Sequence, residues 1–506
     1  MFKPLPFKRV LVANRGEIAV RVIRACAELG LETVAVYSDV DRESLAVRLA
    51  TMAFPIGPAP SSQSYLRGDK ILEVARLSGA QAIHPGYGFL SENANFARQV
   101  IAAGLIWVGP PPDAIDAMGS KTGSRQLMKA AGVPVVPGTV EPLHDEEELV
   151  RVAEEIGYPV MLKASAGGGG KGMRKVNSKD ELLAGYRAAR SEARSSFGDD
   201  AVYIEKFVVN PRHVEVQVLA DQYGETLHLF ERDCSIQRRN QKVVEETPCP
   251  VLPQATREAM TAVAVQAAKA VGYVGAGTVE FLFGGDGSFY FLEMNTRLQV
   301  EHPITEAITG VDLAQAQLRI AGGEPLWFHQ DDLKINGHAI ECRVYAEDPA
   351  ANFSPAPGLI TTYREPGGPF VRVDSGVYPG WTVPIHYDPM IAKLVVWGRD
   401  REECIARTDR ALREYRVLGI KTSIQFFRAV LADPRFLRGE YTTAFITPEL
   451  LQSLPEGDEH ELAAIAAAIA QLESDLAPAK AEGGDTNNES PWRRVGRWQN
   501  INRVPR

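Results

Sequence analysis

Residues 293–301 alternate polar and apolar side chains without interruption, and this pattern restricts the backbone more than any other feature of the chain. The polar members occupy every second position: Glu293, Asn295, Arg297, Gln299 and Glu301. In an extended strand, residues two apart share one face of the sheet. The pattern therefore predicts one face with two carboxylates, two amides and a guanidinium. A solvated surface strand has the same period, but the apolar run at 289–292 favours a site for a metal ion beside an anion.

Composition and charge exclude several classes of protein. The chain has 506 residues and a formal net charge of −9, which argues against general nucleic-acid binding through clustered Lys and Arg. No apolar run reaches the roughly 18 residues needed to span a bilayer, and the apolar start at 8–13 is too short for a signal peptide. The five cysteines are scattered and form no Cys-x-x-Cys pair. They predict neither disulfides nor a zinc site, and they favour the cytosol.

The first region of the chain has the rhythm of a parallel α/β sheet. Short apolar strands at 10–13, 33–37, 82–84 and 106–108 alternate with helical stretches such as 18–29. The turn after the first strand contains only Gly16, where a dinucleotide fingerprint requires three glycines, so the sequence disfavours NAD binding. The chain length allows about three domains.

The later regions contain more strands. Near residue 120 a second α/β region begins, with strands at 160–164 and 202–207 around a helix at 179–195, followed by strands at 212–221, 226–232, 278–283 and 289–295. From about 337 the chain is β-rich (339–345, 360–364, 371–374 and 391–397) and closes with a helix at 402–415. A helix at 459–476 and a linker-like stretch at 482–490 follow.

A glycine-rich loop follows the strand at 160–164. Four consecutive glycines at 167–170 lie between Lys163 and Lys171. Glycines let backbone N–H groups approach phosphate oxygens, and lysines neutralise their charge. The loop is not a Walker P-loop, because no Gly-Lys-Ser/Thr opens a helix there. A flexible surface loop is the alternative, and the two lysines favour a mobile phosphate lid.

Glu280 and Glu293 flank a predicted hairpin whose turn is at 284–287. If a four-residue loop pairs Phe283 with Ser288, Glu280 faces Phe291 and lies diagonal to Glu293 on the same side, roughly 7–8 Å away. Both carboxylates then reach a cation between them, and Mg²⁺ prefers oxygen ligands. Two solvent-facing carboxylates are the alternative.

Together the lid, the paired carboxylates and the alternating stretch resemble the ATP-grasp enzymes. Longer motifs at 84–93, 211–215, 232–242, 293–303 and 387–393 are similar to those of biotin carboxylase, and the resemblance covers about residues 8–450. It implies an α/β fold with a Rossmann-like pre-ATP-grasp domain (1–119), an ATP-grasp domain (120–335, with a mobile lid at about 136–206) and a β-rich C-terminal domain (336–450). A helical or flexible tail (451–506) would follow.

The resemblance also implies roles for individual residues. ATP would contact Lys121, Lys163, Gly169, Gly170, Glu205, Lys206, Val208, His213, Gln237, Asn240, Glu280 and Glu293. Mg²⁺ or Mn²⁺ would be held by Glu280, Glu293 and Asn295. Bicarbonate would be held by Lys242, Arg297, Gln299, Val300 and Glu301, with Glu301 as the base. Arg343 would stabilise the enolate-like ureido oxygen of biotin; a core histidine at 213 and a strand ion pair at 343 are the alternatives.

The partners are implied in the same way. The sequence contains no Ala-Met-Lys-Met attachment site and no region of carboxyltransferase size. The resemblance therefore implies a separate biotin carboxyl carrier protein, carboxyltransferase subunits and a homodimer. Asn240 stands where many acetyl-CoA-type enzymes have histidine, and this replacement is similar to what propionyl- and other acyl-CoA carboxylase branches show. Residues 490–498 suit a protein interface, with a disordered basic end as the alternative. Another ATP-grasp carboxylate ligase and a non-catalytic nucleotide-binding scaffold are the competing functions.

Overall fold

The computed structural model describes residues 4–139, 142–143, 145–164, 173–197, 201–454, 466–469 and 471–472. The chain divides into a unit that ends at Leu454 and a second unit that begins at Pro455. In the second unit residues 466–469 and 471–472 are helical; the rest of the predicted helix at 459–476 and the linker at 482–490 lie outside the described residues. In these ranges no helix combines the length and apolar character needed to cross a membrane.

The first region is a five-stranded parallel sheet in the order β3-β2-β1-β4-β5. Its strands are β1 (Arg9–Val12), β2 (Glu32–Ser38), β3 (Met52–Gly57), β4 (Ala82–His84) and β5 (Ile106–Trp107). Its helices are α1 (Gly16–Glu28), α2 (Leu45–Leu49), α3 (Gly68–Ser78), α4 (Ala94–Ala102), α5 (Pro112–Gly119) and α6 (Lys121–Ala130). Val10, Leu11 and Val12 are fully buried, because helices cover both faces of such a sheet. The predicted parallel α/β sheet is confirmed.

The next region is a small antiparallel sheet in the order β7-β6-β8 with two helices. Its elements are α7 (Glu146–Ile156), β6 (Val160–Ala164), β7 (Met173–Val176), α8 (Lys179–Phe197) and β8 (Val202–Lys206). Leu149, Leu162 and Ile204 belong to a core cluster of its own. The glycine loop between β6 and β7, with Gly169 and Gly170, lies outside the described residues.

The largest element is an eight-stranded antiparallel sheet in the order β13-β12-β9-β10-β11-β14-β21-β19. The remaining strands are β9 (Arg212–Ala220), β10 (Thr226–Arg238), β11 (Gln241–Thr247), β12 (Gly275–Phe283), β13 (Phe289–Asn295), β14 (His338–Tyr345), β15 (Glu347–Asp348), β16 (Ser354–Pro355), β17 (Gly358–Leu359), β18 (Thr362–Arg364), β19 (Val371–Ser375), β20 (Thr382–Val383), β21 (Met390–Gly398) and β22 (Arg416–Leu418). The remaining helices are α9 (Gln254–Ala270), α10 (His302–Thr309), α11 (Leu313–Ala321), α12 (Arg401–Glu414), α13 (Ile424–Ala432), α14 (Pro434–Leu437) and α15 (Pro448–Gln452). Because β11 pairs with β14, this sheet contains strands from both sides of the domain boundary that the sequence suggests between residues 335 and 336.

The alternating stretch 293–301 is a strand only in its first part, so the predicted extended conformation is wrong beyond Asn295. β13 ends there, and Glu301 is already the N-cap of α10. Two physical reasons account for the early end. β13 is an edge strand at the end of its sheet, and Pro303, near the start of α10, has the fixed φ that suits a first helical turn but lacks an N–H for a strand ladder.

The register of the β12–β13 hairpin also differs from the prediction. Phe283 pairs with Phe289 rather than Ser288, so the turn is one residue longer. A bulge follows, and Glu280 lies directly opposite Glu293 instead of diagonal to it. The extra turn residue shifts the pairing by one position, and the extra residue in the bulge moves it one position further. The two carboxylates are therefore closer neighbours than the simple hairpin predicts.

Candidate active site

A cleft of about 760 Å³ lies at the strands that carry most of the predicted site residues. The predicted residues among its walls are Val208, His213, Gln237, Asn240, Lys242, Glu280, Glu293, Asn295, Arg297, Gln299, Val300, Glu301 and Arg343. All five polar members of the alternating stretch thus reach one cleft, although the strand ends at Asn295. Of the apolar residues after the strand, Leu298 is fully buried, whereas Val300 also lines the cleft.

Lys242, on β11, is the centre of the charged part of the cleft. Its Nζ donates to Glu280 Oε1 and Glu301 Oε1, each at 2.7 Å, and to Gln299 Oε1 at 3.1 Å. It also forms a close ion pair with Glu215 on β9. Burial alone lowers the pKa of Lys242, but Glu215, Glu280 and Glu301 outweigh it and hold the pKa well above its ordinary value. One ammonium group therefore keeps three buried carboxylates together.

Glu301 lies between two cations at the start of α10. Its Oε1 accepts from Lys242, and its Oε2 accepts from Arg343 Nη2 at 2.9 Å. Burial raises the pKa of Glu301, but Lys242, then Arg343 and Arg232, hold it well below the ordinary value for glutamate. Glu301 is consequently ionised at neutral pH, which is the form that a general base requires.

Arg343, on β14, lies at the wall between the cleft and a second cavity of about 500 Å³. Gln241, Arg297, Val300 and Arg343 line both spaces. The other walls of the second cavity come from the start of α1, from the loop at 87–89 and from the segment 386–388. A group bound in either cavity can therefore meet the same guanidinium.

Glu280, Glu293 and Asn295 supply oxygen atoms on one side of the cleft. Glu280 Oε1 accepts from Asn295 Nδ2 at 2.8 Å, and its Oε2 lies 2.8 Å from His213 Nε2. Burial raises the pKa of Glu280, but Lys242 and His213 hold it well below its ordinary value. Two carboxylates opposed across a hairpin, with an amide oxygen beside them, fit a hard cation such as Mg²⁺.

Arg297 is oriented by two acceptors. Its Nε donates to Glu92 Oε2 at 2.8 Å, and its Nη2 donates to Asn295 Oδ1 at 2.9 Å. The other oxygen of Glu92 accepts from the Thr296 amide at 3.1 Å. Glu92 precedes α4 in the first region, so a residue more than 200 positions away aims this guanidinium. The planar fork of arginine matches a carboxylate-like anion.

The predicted nucleotide residues near the lid are partly described. Lys163 on β6 forms an ion pair with Glu205 on β8, whose other oxygen lies 2.9 Å from Arg125 Nη1. Lys206 Nζ donates to the Gly157 carbonyl at 3.0 Å. Among the described residues, Lys163, Glu205 and Lys206 do not line the cleft. Lys121 begins α6, but its side chain, like Gly169 and Gly170, lies outside the described part of the chain.

Asn240 has a local reason for its identity. It forms the two-residue turn between β10 and β11 with Arg239, and their φ angles are 66° and 50°. A turn with φ above zero at both positions favours asparagine and glycine. Gln237, which precedes the turn near the end of β10, lies with its Nε2 2.9 Å from His213 Nδ1. The residue that departs from the common histidine is therefore suited to the hairpin itself.

Several residues at this site were missed by the sequence reasoning. Glu215 binds Lys242, Glu92 orients Arg297, and Glu245 on β11 accepts from Arg343 Nε at 2.6 Å. The fully buried Lys393 donates to the Val300 carbonyl at 2.7 Å. A signal was present for three of them, since Glu92, Glu215 and Lys393 lie inside the motifs at 84–93, 211–215 and 387–393.

Comparison with known proteins places this geometry in a family. Three family models match in succession: "Biotin carboxylase, N-terminal domain" at residues 6–115, "Carbamoyl-phosphate synthase L chain, ATP binding domain" at 120–328, and "Biotin carboxylase C-terminal domain" at 341–448. One of the pyruvate carboxylase subunits of Methanothermobacter thermautotrophicus is 56% identical over 440 residues, which cover 87% of this chain and 89% of the relative. The propionyl-CoA carboxylase alpha chain of Ruegeria pomeroyi is 49% identical over 515 residues, covering 97% of this chain and 75% of the relative.

A solved structure is similar to this chain over most of its length. The biotin carboxylase domain dimer of 2-oxoglutarate carboxylase from Hydrogenobacter thermophilus, in complex with MgADP, ADP and bicarbonate, superposes with a TM-score of 0.80 at 48% identity. The match covers 88% of this chain and 98% of that one. The chain therefore belongs to the biotin carboxylase family of ATP-grasp enzymes, which carboxylate biotin with bicarbonate, ATP and Mg²⁺.

Proposed function

We propose that the cleft activates bicarbonate with ATP and that Arg343 presents biotin, carried by a separate biotin carboxyl carrier protein, to the activated carboxyl group. The observation that carries this proposal is the position of Glu301. It is an ionised carboxylate between Lys242 and Arg343, and Arg343 faces both cavities. A reaction between bicarbonate and biotin requires a base beside the bicarbonate and a cation beside the biotin. Glu301 and Arg343 have the positions that suit these two tasks.

In the first step Glu301 accepts the proton of bicarbonate. A bicarbonate oxygen then attacks the γ-phosphorus of ATP, the bond to ADP breaks, and carboxyphosphate forms. Lys242 and the fork of Arg297 hold the anion, with Gln299 and Val300 beside it. Mg²⁺, held by Glu280, Glu293 and Asn295, would neutralise charge on the phosphate oxygens.

In the second step carboxyphosphate divides into CO₂ and phosphate, the phosphate takes the N1 proton of biotin, and N1 bonds to the CO₂. Negative charge develops on the ureido oxygen of biotin as N1 loses its proton. Arg343 supplies a fixed positive charge for that oxygen, and its pKa, which burial lowers and Glu245 and Glu301 raise, lies well above the ordinary arginine value. Arg343 therefore remains a cation throughout the reaction.

The nucleotide contacts follow as further proposals. Lys121, Lys163 and the backbone of Gly169 and Gly170 would meet the phosphates. The adenine end would lie near Glu205, Lys206, Val208, His213, Gln237 and Asn240. Of these, Val208, His213, Gln237 and Asn240 line the cleft, which supports their assignment. We also propose the division at 119, 335 and 450, with residues 136–206 as the lid.

The assembly is proposed from the relatives. The similar structure from Hydrogenobacter is a domain dimer, and we propose a homodimer here. The relatives belong to pyruvate and propionyl-CoA carboxylases, so the acceptor is set elsewhere in the complex; we favour an acetyl- or propionyl-CoA type carboxylase. Carboxyltransferase subunits would complete it, with residues 451–506 as a partner-binding segment. All five cysteines are free and buried, which supports a reducing compartment such as the cytosol.

The test is bicarbonate-dependent release of ADP with and without free biotin. We expect biotin to raise the rate, and we expect Glu301→Gln to lose at least about 100-fold of the biotin-stimulated rate because a base is removed. Glu231→Gln is the matched control, since this buried glutamate pairs with Arg257 away from the cleft. A rate that biotin does not raise, but that an amine acceptor does, would identify a carboxylate–amine ligase instead.

A further inference from the structure

Arg343 is held by two carboxylates that behave differently during the proposed reaction. Its Nε donates to Glu245 Oε1 at 2.6 Å and its Nη2 to Glu301 Oε2 at 2.9 Å. Glu301 becomes neutral when it takes the bicarbonate proton, so its attraction for the guanidinium weakens at that moment. Glu245 takes no part in the proton transfer. It is therefore the partner that keeps the guanidinium in place while charge builds on biotin.

The position of Glu245 suits this task. It is fully buried on β11, directly opposite Glu341 on β14, the strand that also carries Arg343. Glu341 is fully buried as well, and in the described part of the chain neither of its oxygens has a hydrogen-bond partner. Burial raises the pKa of Glu341 well above the ordinary value. The raised pKa favours the neutral form of Glu341, which binds a guanidinium less strongly than the carboxylate of Glu245 does.

From this geometry we propose that Glu245 is a positioning residue, which holds the Arg343 guanidinium in register with the ureido oxygen after Glu301 has been protonated. The inference rests on the proposed function. The guanidinium is a rigid planar fork, so the short contact at its Nε restrains the position of a group that lines both cavities. A displacement of about 1 Å at such a group costs on the order of 100-fold in rate.

Glu245 also gives the contact a pH dependence. Burial raises its pKa to about 7, against the opposing effect of Arg343. The titratable groups that influence it come from its own strand and from the elements packed against it: Arg343, Glu301, Lys242, Glu215 and Glu341. Half of Glu245 is therefore ionised at about pH 7, and the ionised form, which holds arginine more strongly, increases as the pH rises further. The biotin-stimulated rate should rise with pH through this range.

The test compares Glu245→Gln with wild type in the ADP-release assay. We expect the biotin-stimulated rate at saturating biotin to fall at least ten-fold more than the biotin-independent rate, because Lys242 still holds Glu301. The rise near pH 7 should disappear. Equal losses in both rates would overturn the proposal and indicate a structural role only, and Glu231→Gln should change neither rate. A wild-type enzyme that biotin does not stimulate would instead refute the proposed function.

Two further variants extend the test, and the first of them replaces Glu245→Gln if that protein does not fold. Glu245→Asp retains the charge but withdraws it by one methylene group, so a folded protein with a selectively reduced biotin-stimulated rate is expected. In an Arg343→Ala background, Glu245→Gln should change the residual rate by less than two-fold, since its partner is gone. A full ten-fold loss in that background would overturn the assignment, because Glu245 would then act without Arg343.

Discussion

Removal of the Lys242 ammonium should destabilise the protein in a way that depends on pH. Its Nζ contacts Glu215, Glu280 and Glu301, which are all buried. Lys242→Gln removes the cation and leaves the three carboxylates together. Removing one partner of a buried ion pair typically costs about 3–5 kcal/mol, because a charge remains without compensation. In this cluster the free-energy cost can be lower, since one carboxyl can take up a proton and lose its charge.

The loss of stability can be calculated from the free energy needed to protonate that carboxyl. The ordinary pKa of a glutamate is 4.5, and each pH unit above it costs about 1.4 kcal/mol to keep the acid protonated. At pH 7.5 the three units amount to about 4 kcal/mol, and at pH 5.5 the cost is only about 1.4 kcal/mol. The folded variant binds one more proton than its unfolded chain, so its stability rises as the pH falls. In the wild type the pKa shifts of Lys242, Glu280 and Glu301 favour their charged forms, so these three groups keep their charge in both states across this range. Burial raises the pKa of Glu215, so Glu215 is the carboxyl that takes up the proton in the variant.

The assay is urea unfolding of both proteins at about pH 7.5 and about pH 5.5. We expect a deficit of about 4 kcal/mol that shrinks to roughly 1–2 kcal/mol at the lower pH. Lys179→Gln is the control, because that lysine pairs with Glu154 on the surface and its loss should leave stability nearly unchanged at both pH values. A deficit that stays constant, or that grows in acid, would refute the reasoning.

Three other predictions can be checked separately. Glu246→Gln should lower the melting temperature near pH 6. Burial raises the Glu246 pKa, but His338 and its other partners hold it at about 2, so roughly 3 kcal/mol of stability is present above pH 4.5 and lost towards pH 2. The difference in melting temperature between variant and wild type should therefore disappear in acid. Arg297→Lys should raise KM for bicarbonate at least about ten-fold. Glu92→Gln should raise it less, because the planar fork of Arg297 remains. A KM for Arg297→Lys equal to that of the wild type or of Glu92→Gln would contradict this. EDTA should abolish ADP release, and Glu280→Gln should raise the Mg²⁺ concentration that restores it; activity in EDTA would contradict the metal assignment.

Much of the fold could be predicted from local patterns. The strands at 82–84, 160–164 and 289–295 have the predicted bounds, and the others differ mainly at their ends. A buried strand needs consecutive apolar residues and a helix needs its own period, so each leaves a signal in a short window. The alternating pattern also predicted polar side chains on one face, and those from Glu293 to Glu301 all line one cleft.

The pairing of distant segments could not be predicted in this way. The order of the strands in the large sheet depends on contacts between residues far apart, and a longer turn together with a bulge was enough to change the partner of Glu280. Glu92 lies inside the motif at 84–93, but the sequence does not show that Arg297 is its partner. Glu245 has no such signal, because its role comes only from the arginine that it meets.

The sequence by itself thus determined the α/β class and the positions of many strands, and it predicted residue types suited to binding a nucleotide, a cation and an anion. Only the tertiary structure decided which charges neutralise one another. The grouping of three carboxylates around Lys242 and the sharing of Arg343 between Glu245 and Glu301 depend on strand register and burial. The physical reason is that electrostatic interactions become strong where water is excluded, and exclusion of water is a property of the packed molecule rather than of any segment.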